Sequence, residues 1–181
     1  MACRCMAIPT LGFCERRPAM PVCPTKSLDA AKAAMCDDAK RNAAGMSPKL
    51  CPSIAELLNQ LYSDGKLLGV VSGNLEPIGW SKLEAAGLPH LFAFGSFSGA
   101  RELRQDIFRH GMEEAQRRLR NEAAVYFVGD TPADIAAAKA IGAPIIAVAT
   151  GIYKVEELLS HGPDWCVSCC TELLGSDNTA D

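Results

Sequence analysis

The sequence predicts an α/β fold in which a parallel sheet carries helices on both faces. Short apolar runs, typical of strands buried on both faces, alternate with segments of helical periodicity from residue 49 onward. This alternation is typical of parallel sheets. The chain has 181 residues, of which 49% are hydrophobic and 22% charged. That composition and length suit a globular chain of one domain, alone or with a short appendage.

Apolar runs predict strands at 67–71, 91–94, 124–128 and 144–148, with a last edge strand at 165–167. Helices are predicted at 27–42, 53–62, 77–86, 102–120, 132–140 and 155–160. Ser53 and Glu56 have the spacing of a capping box at the start of the second helix. Pro132 suits a first helical turn, and Gly142 suits a helix stop.

The cysteine content and the net charge of the chain change near residue 48. Residues 1–48 hold five cysteines and seven basic against four acidic residues, a net charge of +3. Residues 49–181 hold four cysteines and carry a net charge of −6. We therefore predict an irregular, partly helical N-terminal segment, 1–48, and a regular core domain, 49–181.

Charge and cysteine usage exclude several classes of protein. The net charge of −3 favours neither nucleic acid nor a membrane surface, and no apolar run has the length of a membrane span. The nine cysteines are an odd number, and the N-terminus lacks the apolar stretch of a signal peptide. We therefore expect a cytoplasmic protein with reduced thiols.

Polar residues follow two of the predicted strands, where parallel sheets bind their ligands. Ser72, Gly73 and Asn74 follow the first strand and offer a hydroxyl and backbone N–H groups to a phosphate. Asp130 and Asp134 follow the third, and two carboxylates four residues apart can share a divalent cation. Each segment also has a plainer interpretation, as a strand end and as a helix cap.

Together these segments resemble motifs of the haloacid dehalogenase superfamily of hydrolases. The segment Val-Val-Ser-Gly-Asn at 70–74 is similar to the second motif, and Gly-Asp-Thr-Pro-Ala-Asp at 129–134 to the fourth, about 55 residues later. The phosphoglycolate-phosphatase-like branch is the most similar. The resemblance covers about residues 49–174 and implies a three-layer, Rossmann-like parallel sheet.

The resemblance implies a magnesium-dependent phosphatase that acts on a small phosphorylated metabolite. Ser72 would bind the phosphoryl group with help from the backbone at Gly73 and Asn74. Asp130 would bind Mg²⁺, and Asp134 would support it. Arg104 is the candidate for the third motif, which offsets negative charge, although Arg101 lies close and a surface helix arginine is the plainer interpretation.

The family's first motif, Asp-x-Asp-Gly-Thr after the central strand, is absent from this sequence. Its first aspartate is the nucleophile of the family, so the first strand and the cap are expected to be missing or replaced by residues 1–48. A truncated or frame-shifted gene start and a divergent remnant both remain open. The alternative function is a catalytically silent protein with a binding role or none.

The missing central strand would leave two strand edges. These edges would pair with each other, with residues 6–13, or with another chain, and the last option predicts self-association. Pro9 makes 6–13 a poor central strand. A zinc site at Cys166, Cys169 and Cys170 is a weaker alternative, because its second pair of ligands would have to come from Cys3 and Cys5 or from distant residues.

Overall fold

A parallel sheet of strands in the order β3-β2-β1-β4-β5-β6 forms the centre of the structure. The structure is a computed structural model that describes residues 5–8, 25–42, 45, 48–99, 101–120 and 124–174. The strands are β1 (Cys5–Ile8), β2 (Leu67–Leu75), β3 (Phe94–Ser98), β4 (Val125–Gly129), β5 (Ile145–Val148) and β6 (Trp165–Val167).

Helices cover both faces of this sheet, as the sequence predicts. They are α1 (Thr25–Asn42), α2 (Ile54–Ser63), α3 (Glu76–Ala85), α4 (Arg104–Arg118), α5 (Pro132–Ala140) and α6 (Val155–Ser160). Helices α2 and α3 contribute to one apolar cluster, and α4, α5 and α6 contribute to the other. Helix α1 packs against α3. The predicted three-layer α/β class is confirmed.

Alternation along the strands divides the core between the two faces. Phe127 packs with the α4 and α5 side chains, whereas its neighbour Val128 packs with those of α2 and α3. Phe127 stacks on Phe108 of α4 with ring centroids 4.6 Å apart, and both side chains are about 1% exposed. A strand buried on both faces explains why its sequence is a continuous apolar run.

The central position of the sheet is filled by β1. Cys5 lies opposite Leu67 of β2 on one side and Val125 of β4 on the other, and both pairings are parallel. The strand ends at Ile8, one residue before Pro9, so the proline is not part of the hydrogen-bonded ladder. Residues Cys5–Ile8 therefore occupy the place between β2 and β4 that the family's first strand was expected to leave missing or replaced. The open central edge from which we expected self-association is not there, and self-association itself stays a prediction.

Two local predictions were wrong. The second strand begins at Phe94 rather than residue 91, because Pro89–Leu91 forms a turn of 3-10 helix. Ser53 does not form a capping box: its φ is 60°, its side chain makes no cap hydrogen bond, and its hydroxyl accepts a hydrogen bond from Thr171 instead, at 3.1 Å. The predicted helices at 132–140 and 155–160 and the edge strand at 165–167 are confirmed.

Most of the irregular structure predicted for the first 27 residues lies outside the described residues. The division of the chain at residue 48 stays a prediction, although β1 belongs to the same sheet as the later strands. No helix in the described ranges combines the length and apolarity that crossing a bilayer requires.

Candidate active site

Ser72 lies at the carboxyl end of β2, where the register with β3 shifts between Ser72 and Leu75. Its side chain is 1% exposed. The Ser72 Oγ accepts one hydrogen bond from the backbone N–H of Asn74 and one from the Asn74 side-chain amide, both at 3.0 Å. Asn74 thus holds the Ser72 hydroxyl in one orientation, inside a strand that continues to Leu75.

Arg104 and Asp134 form an ion pair between the first turns of α4 and α5. The Arg104 Nε and Nη2 atoms lie 2.7 Å and 2.5 Å from the same oxygen, Asp134 Oδ1. The Asp134 side chain is fully buried, whereas that of Arg104 is 31% exposed. The second oxygen, Asp134 Oδ2, accepts a hydrogen bond from the Thr131 hydroxyl at 2.7 Å. Both carboxylate oxygens of Asp134 therefore have partners within the protein.

The same arginine approaches the carboxyl-terminal end of β2. A Cβ built on Gly73 would lie 3.3 Å from the Arg104 Nη1 atom. Arg104 thus connects the end of β2, which carries Ser72 and Gly73, with the helix that carries Asp134. The prediction singled out Arg104 as a cation of the site, and the structure brings it between the two motifs.

Asp130 lies directly after β4, the strand that pairs with β1. Burial raises the pKa of the Asp130 carboxyl above its ordinary value of 3.8, and the negative charge of Asp134 raises it further. The backbone at Gly151 approaches closely, because a Cβ there would lie 2.5 Å from Asp130 Oδ2. Among the residues that the structure describes, Asp130 is therefore a partly buried carboxylate without a cation as close as the one that Asp134 has.

A cleft of about 300 Å³ opens between the sheet and the α2–α3 layer and reaches Ser72 and Asp130. Most of its lining side chains are apolar. The polar ones are concentrated in a small group: Lys49, Ser72, Lys82, Asp130 and Thr150. Small-molecule sites commonly combine an apolar wall with a few polar groups.

The donor set suits a magnesium ion with one protein carboxylate. Mg²⁺ prefers oxygen ligands and is commonly held by one or two carboxylates together with water and substrate phosphate. Asp130 offers such an oxygen, whereas the oxygens of Asp134 already bind Arg104 and Thr131. Within the described ranges, no group of three or more His, Cys, Asp or Glu side chains could hold a metal ion. Cys3 and the Cys5 side chain, which the alternative zinc site would add, lie outside what the structure describes.

The plainer interpretation of the second segment is also correct in part. The Thr131 hydroxyl caps α5 by accepting a hydrogen bond from the Asp134 backbone N–H at 3.2 Å. Asp134 thus serves the helix cap and the ion pair at once. A role for Asp134 as a metal ligand stays a prediction.

Sequence reasoning missed the lysines of the cleft. Lys82 lies on α3 and Lys49 precedes α2, and neither follows a strand. Lys82 reaches the site through a hydrogen bond from its Nζ atom to Asn74 Oδ1 at 3.3 Å. A lysine on a helix ordinarily indicates a solvated face, so only its position after folding reveals this contact.

Comparison with known proteins places the chain in a family. A family model described as haloacid dehalogenase-like hydrolase matches residues 19–148, which is more than half of the chain. The chain belongs to the haloacid dehalogenase-like hydrolases. The predicted family and the fold class that it implies are confirmed. The match begins well before residue 49, so the family likeness extends into the N-terminal segment.

Individual members of the family are similar to this chain over most of its length. A phosphoglycolate phosphatase from Synechococcus elongatus is 32% identical over 131 residues, which are 70% of this chain and 58% of that protein. This chain therefore spans less than two thirds of that relative. The similarity supports the phosphoglycolate-phosphatase-like branch of the family.

Two solved structures share the fold. A haloacid dehalogenase-like family hydrolase from Streptococcus pneumoniae superposes with a TM-score of 0.62 at 22% identity, over 70% of this chain and 59% of that chain. A hydrolase from Pseudomonas syringae gives a TM-score of 0.61 at 15% identity, over 84% of this chain and 69% of that chain.

Proposed function

We propose that this chain is a magnesium-dependent phosphatase that acts on a small phosphate monoester. The observation that carries the proposal is the Arg104–Asp134 ion pair, which lies against Gly73 and joins the segments that hold Ser72 and Asp130. Ser72 lies near the carboxyl end of β2, one neighbour of β1, and Asp130 directly follows β4, the other neighbour. The arrangement combines a hydroxyl donor, a cation and the partly buried Asp130 carboxylate, which are groups that phosphoryl transfer uses.

Each residue has a distinct task in this proposal. Ser72 donates a hydrogen bond to a phosphoryl oxygen, and the Arg104 guanidinium supplies positive charge beside Gly73 at the end of β2. Asp134 holds that guanidinium in place. Asp130 would hold Mg²⁺, which when bound neutralises negative charge on the phosphoryl group. The phosphatase name of the Synechococcus elongatus relative supports the same reaction class.

A second candidate is a protein that binds phosphate compounds without turnover. The sequence after β1 favours it, because Ile8 is followed by Pro-Thr-Leu-Gly at 9–12 and no carboxylate. In the family, the nucleophilic aspartate follows this central strand. Covalent phosphoryl transfer needs a nucleophile in line with the leaving group.

Release of p-nitrophenol from p-nitrophenyl phosphate separates the two candidates. We expect release in Mg²⁺ and its loss in EDTA. We also expect Asp130→Asn to lower the rate by about 100-fold or more, because an amide is a poor substitute for a charged metal ligand. Asp106→Asn is the matched control, since Asp106 lies on α4 in an exposed pair with Arg109. A rate in Mg²⁺ no higher than that of Asp130→Asn would reject the phosphatase and leave the binding protein.

A further inference from the structure

Three polar side chains form a chain of hydrogen bonds that ends at the site. Lys82 Nζ donates to Asn74 Oδ1 at 3.3 Å, and Asn74 Nδ2 donates to Ser72 Oγ at 3.0 Å. Lys82 comes from α3, while Asn74 and Ser72 come from the end of β2. Lys82 and Ser72 both line the cleft.

The chemistry of the lysine determines which group donates and which accepts in each of these hydrogen bonds. An ammonium group carries only donors, so the Asn74 atom that faces Lys82 must be the carbonyl oxygen. The amide nitrogen then faces Ser72 and donates to it. The Ser72 oxygen also accepts the backbone N–H of Asn74 at 3.0 Å, so both of its acceptor positions are occupied.

A hydroxyl whose acceptor positions are both occupied can only donate. Within the described part of the chain, the Ser72 hydroxyl has no acceptor for its own hydrogen among the hydrogen bonds of the structure. The hydrogen is therefore available to an oxygen that accepts and does not donate. Every unsubstituted oxygen of a phosphate dianion is such an acceptor, and its negative charge makes the hydrogen bond stronger than one to a neutral oxygen.

We propose that Lys82 is a positioning residue that acts through Asn74 to make Ser72 a fixed donor to an anionic oxygen. The ligand class is a tetrahedral oxyanion with acceptor-only oxygens, such as the phosphoryl group of a monoester. The inference deepens the proposed function and rests on the same site. It makes Lys82, a residue of α3 outside the motifs described above, responsible for the preference of Ser72 for an anionic oxygen.

Asn74→Asp tests the direction of the hydrogen bonds at constant size. The carboxylate keeps its pairing with Lys82, so we expect the Tm to stay close to that of the unmodified chain. It cannot donate to Ser72, so the Ser72 hydroxyl turns to donate to the carboxylate instead. We expect the Kd for inorganic phosphate in Mg²⁺, measured by titration calorimetry, to rise about tenfold or more.

A double-mutant cycle separates this effect from simple charge repulsion. In a Ser72→Ala background there is no hydroxyl to redirect, so Asn74→Asp should change the phosphate Kd by less than about twofold. We further expect Lys82→Met to weaken phosphate binding, Lys82→Arg to restore it, and the exposed Lys40→Met on α1 to leave it unchanged. An equal loss from Asn74→Asp with and without the Ser72 hydroxyl would overturn the inference.

The binding assay also separates this inference from the proposed function. A chain that binds phosphate with the expected pattern but releases no p-nitrophenol would reject the phosphatase and support the role of Lys82. A chain that releases p-nitrophenol equally well as Asn74→Asp, Lys82→Met and the unmodified form would support the phosphatase and overturn the role of Lys82. Absence of phosphate binding by the unmodified chain would overturn the inference as well.

Discussion

Arg104→Met is expected to lower the free energy of unfolding by about 3 kcal/mol, because it leaves a buried carboxylate without its cation. Loss of one partner from a buried ion pair costs about 3–5 kcal/mol, and the lower value applies since Arg104 is itself 31% exposed. Of its described side-chain partners, the Asp134 carboxylate would retain the Thr131 hydroxyl. Equilibrium unfolding in urea measures the change.

Arg109→Met is the matched control for this substitution. Arg109 pairs with Asp106 on the same helix at 2.7 Å, but the two side chains are 45% and 38% exposed. An exposed pair contributes about 0.2–1 kcal/mol, so the control should lose less than about 1 kcal/mol. Removal of both charges in Arg104→Met/Asp134→Asn should recover most of the loss. Equal losses from Arg104→Met and Arg109→Met would show that the buried pair does not stabilise the site.

Asp130→Asn is expected to raise the Tm at neutral pH even though it removes the proposed phosphatase activity. The pKa of Asp130 in the folded chain lies above its ordinary value of 3.8, mainly because of burial and then because of Asp134. The folded state therefore binds the Asp130 proton more tightly than the unfolded state does. This contribution is fully present below pH 3.8 and is lost as the pH rises through the folded-state pKa.

The direction in which Asp130→Asn changes the Tm follows from this dependence of stability on pH. At neutral pH the unmodified chain carries a partly buried carboxylate, whereas the amide has no charge to desolvate. The gain in Tm from Asp130→Asn should therefore shrink as the pH falls toward 3.8, where the carboxyl takes up its proton. Thermal unfolding measured from neutral pH down to about pH 3.8 gives the Tm gain at each pH, and the exposed Asp106→Asn is the control. A gain that grows in acid would contradict the account.

Much of the fold follows from patterns that depend on sequence alone. Strands buried on both faces produce continuous apolar runs, and Pro132 and Thr131 begin α5 with local interactions that the sequence shows directly. The end of a strand is likewise a local signal, so Ser72, Asp130 and Asp134 could be selected from their positions. Arg104 could be selected only with the help of the family resemblance.

What could not be predicted depends on contacts between distant parts of the chain. Ser53 loses its capping role to a partner 118 residues away, Thr171. Four residues, Cys5–Ile8, take the central place in the sheet, although the pattern around Pro9 argued against a strand there. Lys82 contacts Asn74 only because α3 folds back over the end of β2. Each of these contacts is created by tertiary packing.

A crystal of the unmodified chain, soaked with Mg²⁺ and with tungstate as an unreactive mimic of phosphate, tests the proposed site through the anomalous signal of tungsten. We expect one tungstate in the cleft, with an oxygen within hydrogen-bond distance of Ser72 Oγ and with Mg²⁺ between the tungstate and the Asp130 carboxylate. A crystal in which tungstate binds only elsewhere, or leaves Ser72 and Asp130 without contact, would contradict the proposed site.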